Sequence, residues 1–432
     1  MKSKYLIIIS VDAVSAEDLS DLDKLVNFKY IINNGAYIKK VESVCPTLTY
    51  PAHVSIVTGK YPKNHGVIDN TIFNACDLNP NWYWYRKYIN GDTIMDIASR
   101  KGMTTCSILW PVTGGAKIDY NMPEIWPVKW YHNQIIMSMN SGSILYQYKL
   151  NKKYGNLRRG IEQPYLDDFV MKCLEDTMKN IMPELIMVHL TDVDTNKHKY
   201  GASSTQAKDA LIRHDKRLGK IIDILKEKGI FDDTDIIILG DHGAKDVNKT
   251  IRINKLLVDN GYIKISKNNK LLDYDACCKS LDGGAYIYLK DPHNVKLKND
   301  IKKLLENLKN NSGCIEYILD KNEIEKCGAD FKASFMIEAK EGYYFLDDFT
   351  GEIIEDIKDD EVGKVSHLYK GVHGYSPKKE RYETFFAAFG KDFKAGAMIE
   401  HGQIINHGPT IAKLLGEELV GCDGQVVYEI FS

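Results

Sequence analysis

Cys45-Pro-Thr-Leu-Thr-Tyr-Pro-Ala-His-Val-Ser-Ile-Val-Thr-Gly-Lys-Tyr-Pro-Lys-Asn-His-Gly-Val-Ile-Asp-Asn70 is the stretch on which the reading of this chain turns. Pro51 has no N–H to lose and a φ that suits the first turn of a helix, so a helix is expected with Thr49 at or just before its N-terminus. A hydroxyl there faces the positive end of the helix dipole and free backbone N–H groups, which favour an alkoxide and a bound phosphate. An isolated Thr-x-Pro would be an ordinary helix cap, so its companions must decide.

Those companions lie just past apolar runs that read as buried parallel strands, where α/β sheets place their ligand crevices. Asp12 follows Tyr5 to Ser10. Leu185 to Leu190 leads into Asp194-Thr-Asn-Lys-His198, whose i, i+4 spacing puts a carboxylate and an imidazole on one face of a helical turn. Asp192 competes with Asp194, but its spacing of six to His198 would point the two side chains apart. Asp235 to Leu239 ends in Gly240-Asp241-His242-Gly243, where flanking glycines allow a turn that swings adjacent side chains to one centre. Far downstream stands Gly371-Val-His373-Gly374. Carboxylates, imidazoles and one hydroxyl in this order suit two-metal phosphoryl chemistry.

Together these segments resemble the nucleotide pyrophosphatase/phosphodiesterase family of the alkaline phosphatase superfamily. Its pattern is Thr-(Phe/Tyr)-Pro-x-His followed by Ile-Val-Thr-Gly-x-Tyr-Pro-x-x-His-Gly, and further similarity runs through Asn79-Pro-Asn-Trp82-Tyr83 and Ile108-Leu-Trp110-Pro111. The chain departs from the pattern at Ala52, where an asparagine is usual, and at Val193, where a proline is usual. The resemblance implies that Thr49 is the nucleophile and that Asn70 helps bind a phosphoryl oxygen. It implies that Asp12, Thr49, Asp241 and His242 surround one divalent cation, and Asp194, His198 and His373 a second. Zinc is the first choice for such a nitrogen/oxygen set. Tyr50, beside the nucleophile, is the expected stacking platform for a base or aryl group.

The implied function is cleavage of phosphodiester or pyrophosphate bonds through a phosphothreonine intermediate. The alternative is a phosphomonoesterase or phosphonate hydrolase of the same superfamily. Sulfatases of the superfamily use a cysteine or serine followed by x-Pro-x-Arg. Cys45-Pro-Thr-Leu-Thr49 has no arginine in place, which excludes that reading.

Composition agrees with an enzyme acting on a small phosphodiester or nucleotide. The 432 residues, 44% hydrophobic, suffice for a large core and an accessory lobe. A net charge of −2 leaves no broad basic footprint, so stable nucleic-acid binding is not expected. No apolar run reaches membrane-spanning length, and an odd count of nine cysteines without a secretion signal points to reduced thiols in a cytoplasm. The expected fold is an alkaline-phosphatase-like α/β core, a mostly parallel sheet flanked by helices, made of residues 1–250 and 371–432. A smaller α+β lobe is expected at 251–370, where the alternation of strands and helices changes character.

Overall fold

Eight strands form the central sheet of this computed structural model, which describes residues 1–75 and 80–432; Cys76 and Asn79 lie outside the described residues. Across the sheet the order is Ala397–Gln403, Ala36–Glu42, Thr384–Phe389, Thr234–Leu239, Tyr5–Val11, Leu185–Leu190, Thr105–Ile108 and Tyr120–Met122. Every adjacent pair is parallel except the two made by Thr384–Phe389, which runs against both neighbours. The expected mostly parallel sheet flanked by helices is therefore the observed architecture.

Tyr5–Val11 shows why the central strands form. It pairs on one side with Leu185–Leu190 and on the other with Thr234–Leu239, so its backbone is fully engaged. Side chains alternate between faces. Ile7 and Ile9 enter a core with Phe28 and Leu218, while Leu6 and Ile8 enter the opposite core with Ile56 and Ile411. A strand buried on both faces must be apolar throughout, which is why these runs show no polar alternation.

The smaller lobe has its own core, in which Ile287, Ile337 and Phe345 are buried beneath the helix Val295–Ser312 through Ile301 and Leu305. Its four-stranded antiparallel sheet runs Ala276–Leu281, Gly284–Leu289, Phe335–Ala339 and Ile315–Asp320. A second sheet joins Gly342–Phe345 and Ile354–Asp356 to Lys245–Ile251, a strand that begins before residue 250. Tyr375 and Tyr382, from beyond residue 370, pack in the same core. The lobe is thus stitched to the main body on both sides of its insertion points.

Two histidines in the main body make acid stability testable. His65 accepts from the Val67 N–H at Nδ1, leaving Nε2–H to face Ser55 Oγ at 3.1 Å, and burial pushes its pKa down to about 3. Burial does the same to His407, whose ring lies 4.7 Å from that of Phe386. Both stay neutral in the folded state, whereas the unfolded chain takes up protons below pH about 6.5. Stability should therefore be intact above that pH and fall as pH drops towards 3, by about 2 kcal/mol per histidine at pH 5. Urea melts at pH 7 and pH 5 check this, and His407→Gln should flatten the acid limb.

Candidate active site

The carboxyl ends of the parallel strands converge on one edge of the sheet, and seven of the sequence-predicted residues meet there. Asp12 follows the first strand, Asp194 and His198 sit on the helix Asp192–Tyr200 after Leu185–Leu190, and Asp241 and His242 follow Thr234–Leu239. His373 arrives from the turn after Gly371–Val372, a strand paired with Lys245–Ile251. Thr49 is the first residue of the helix Thr49–Thr58, with Leu48 extended before it and Gly59 in the left-handed region closing its end. Its Oγ lies 3.3 Å from His242 Nε2.

Two groups of potential ligands result. Asp12, Asp241 and His242 are one, fully buried; Asp194, His198 and His373 are the other, partly open. His242 Nδ1 donates to the Gly243 carbonyl at 3.2 Å, so Nε2 keeps its lone pair facing Asp241 at 3.2 Å and Asp12 at 3.5 Å. His198 Nδ1 likewise donates to the Gly371 carbonyl at 2.9 Å, leaving Nε2 to face Asp194 at 3.4 Å. Asp12 Oδ1, Asp194 Oδ1 and Asp241 Oδ2 are buried with no hydrogen-bond partner. Burial, then the charge of Asp241, holds Asp12 well above the ordinary carboxylate range, and burial also raises Asp241. Unpartnered buried oxygens beside free imidazole nitrogens are the donor set a divalent cation satisfies.

Asn70 lies where the Tyr50 N–H donates to its Oδ1 at 2.9 Å. That bond fixes the amide's orientation and turns Nδ2 away as the available donor. It also occupies the backbone N–H that follows Thr49.

Tyr50 corrects an expectation. Its side chain is fully buried beside Val54 and Trp84, the Trp82 ring meets it edge-on at 5.2 Å, and its hydroxyl lies 3.5 Å from the Glu124 carbonyl. A ring with both faces packed cannot receive a base, so Tyr50 forms the wall under the half-buried Trp82. Asp192 is likewise accounted for. Burial alone would raise its carboxyl, yet the Arg213 guanidinium at 2.7 Å, aided by Arg217, holds it below the usual range. The network anchors the start of the helix that presents Asp194 and His198.

Four contributors were not read from the sequence. His53 Nδ1 donates to the Thr49 carbonyl at 2.7 Å and faces Asp241 at 3.5 Å, while its Nε2 accepts from Ser10 at 2.7 Å. His189 lies 3.3 Å from Asp12. The buried Lys197 donates to the Ala13 carbonyl at 2.9 Å and pairs with Asp18 at 2.6 Å, while the Ala13 N–H donates to Asp241 at 3.0 Å. Ala13 is thereby clamped at a φ of 57°, aiming Asp12 inward. Glu124, past the strand Tyr120–Met122, has an unpartnered buried Oε2, and burial pushes its carboxyl up to about 8. His53 stood in the quoted motif; the other three carried no local pattern to mark them.

The model of the type I phosphodiesterase / nucleotide pyrophosphatase family matches residues 6–376. Human ectonucleotide pyrophosphatase/phosphodiesterase family member 1 is 29% identical over 246 residues, 54% of this chain and 22% of that protein. Venom phosphodiesterase 2 of Crotalus adamanteus is 27% identical over 255 residues, 56% of this chain and 27% of that protein. The chain thus spans about a quarter of the length of these relatives. Among solved structures, murine ectonucleotide pyrophosphatase/phosphodiesterase 5 superposes with a TM-score of 0.67 at 19% identity, covering 99% of this chain and 100% of the other. An inactive form of that murine protein in complex with AMP superposes equally well. With a family model spanning six of the eight strands of the central sheet, the Thr49 helix and both ligand groups through His373, the chain belongs to the type I phosphodiesterase / nucleotide pyrophosphatase family.

Proposed function

We propose that the chain hydrolyses phosphodiester or pyrophosphate bonds in nucleotide-like substrates, with Thr49 as nucleophile and two divalent cations, zinc the first choice, held by Asp12, Asp241 and His242 and by Asp194, His198 and His373. The observation that carries this reading is Thr49 Oγ at a helix N-terminus, 3.3 Å from His242 Nε2 and flanked by both ligand groups. Bound there, the cations would supply Lewis acidity to the phosphoryl oxygens and lower the pKa of a hydroxyl and a water. Thr49 Oγ attacks phosphorus as the bond to the leaving group breaks, and water then attacks the phosphothreonine to free the enzyme. Asn70 Nδ2 donates to a non-bridging oxygen, a contribution of about 3 kcal/mol to the transition state. The half-buried Trp82 offers the aromatic face for a base. Cys45, Cys106, Cys173, Cys278, Cys314, Cys327 and Cys422 are free thiols, in keeping with a reducing compartment such as the cytoplasm.

The ligand motifs contain no arginine to hold a second phosphate charge, so the site suits a monoanionic diester better than a dianionic monoester. A nitrophenyl nucleotide diester should therefore be cleaved with at least about tenfold higher kcat/KM than nitrophenyl phosphate, and Trp82→Ala should narrow the gap through KM. A monoester preference would favour the phosphomonoesterase alternative.

A further inference from the structure

Between Glu124 and Glu162 the chain carries six lysines and arginines and no acidic residue, although its overall charge is −2. The same segment holds a dense group of exposed large apolar side chains. Trp130 is 96% exposed, Leu145 71% and Ile135 69%, with Tyr131, Ile136 and Tyr148 also more than half exposed. Two helices organise them. In Gln134–Ser141, Ile135, Ile136 and Met139 share the outer face; in Ile144–Tyr154, Ile144, Leu145 and Tyr148 do, and this face continues into the exposed Lys149 and Lys152. The inner face of the second helix is anchored by Tyr146 and Leu150, and Gln147 Nε2 donates to the Ser138 carbonyl at 2.9 Å, tying the two helices together.

We propose that this face is a docking surface for a membrane bearing anionic lipid. Leaving this much apolar area in water calls for a partner. The chemistry of the face selects which one. Tryptophan and tyrosine beside isoleucine and leucine, bordered by cations, are the composition of segments that lie in the headgroup region with their apolar side chains among the acyl chains. The two helices have 8 and 11 residues, and no helix among the described residues is long and apolar enough to cross a membrane, so the segment lies on the surface. A second copy of the chain is the poorer occupant, because a two-fold interface would set these cations against the same cations with no acid between them. Lys153 is already paired with Asp176, and Arg159 stacks 4.1 Å over Tyr165, so Lys149 and Lys152 are the cations that would meet lipid phosphates and carboxylates.

The surface adjoins the aromatic group beside Thr49. Trp126 packs against Trp82 at 4.6 Å, and the His132 ring lies 6.2 Å from that of Trp84. A bilayer seated on this face would bring headgroups close to the catalytic edge of the sheet, yet binding itself requires no turnover.

Vesicle flotation with the full chain tests the proposal, using phosphatidylcholine alone and phosphatidylcholine with about one-third phosphatidylserine. Binding should be at least tenfold stronger to the anionic vesicles and weaken with salt. Each lysine near an anionic surface contributes about a factor of five, so Lys149→Ala with Lys152→Ala should lower binding roughly 25-fold. Trp130→Ala with Ile136→Ala should lower it roughly tenfold on both vesicle types. Circular dichroism of both double variants should be unchanged, and a soluble nitrophenyl diester should be turned over normally by the lysine variant. No binding to anionic vesicles, or binding that neither variant weakens, overturns the proposal. So does a concentration-dependent dimer in sedimentation that Trp130→Ala with Ile136→Ala abolishes while vesicle binding is absent, since the face would then be a self-association surface.

Discussion

Thr49→Ala should lose at least a thousandfold in kcat while keeping both cations and its melting temperature. The proposed nucleophilic oxygen is one atom on the first turn of a helix whose other contacts, from Tyr50 to Ile56, do not involve it. Three protein ligands remain in each group without it. Loss of a covalent nucleophile removes a transition-state interaction, so kcat and kcat/KM should fall together. Thr49→Ser should be milder because the oxygen survives. Metal content by elemental analysis beside steady-state kinetics checks the prediction. Activity above a few per cent at matched metal loading would remove Thr49 from the nucleophile's role.

Chelation should abolish turnover and lower the melting temperature by about 5–10 °C, with both restored by two equivalents of zinc. Ligand binding at several hundred times its dissociation constant stabilises by roughly 3–4 kcal/mol, and two sites act together. Removing the cations leaves Asp12 and Asp241 buried and unneutralised, which is the state their raised pKa values describe. His373→Ala should release the cation at Asp194 and His198 and spare the other, since Asp12, Asp241 and His242 form a separate group of three candidate ligands. Differential scanning fluorimetry and elemental analysis before and after chelation measure both effects. An unchanged melting temperature in the metal-free protein would count against a shared centre, and equal loss of both cations in His373→Ala would undo the proposed division of ligands.

The strand Tyr5–Val11 and its neighbours were legible in the sequence because burial on both faces demands an uninterrupted apolar run. The same run is uninformative about direction. Thr384–Phe389 reads like the parallel strands, yet runs against both neighbours, because a buried strand's side chains pack equally well either way. Asp194 and His198 were legible because one helical turn sets their relation. Asp241 and His242 were legible because they end a strand between glycines.

Exposure of Tyr50 was not legible. Trp82 and Glu124, which cover it, are brought there by separate segments. Spacing to His198 favoured Asp194 over Asp192, but the part Asp192 plays instead rests on Arg213 and Arg217 from the next helix. His189, Lys197 and Glu124 are marked only by what they meet in space. By itself the sequence determined which side chains end strands and begin helices, and so where the candidate ligands and the proposed nucleophile stand along the chain, since periodicity and turn chemistry act within a few residues. Tertiary structure alone decided which of them are buried, paired or left with open valences, because those properties depend on strand order and on atoms contributed from distant parts of the chain.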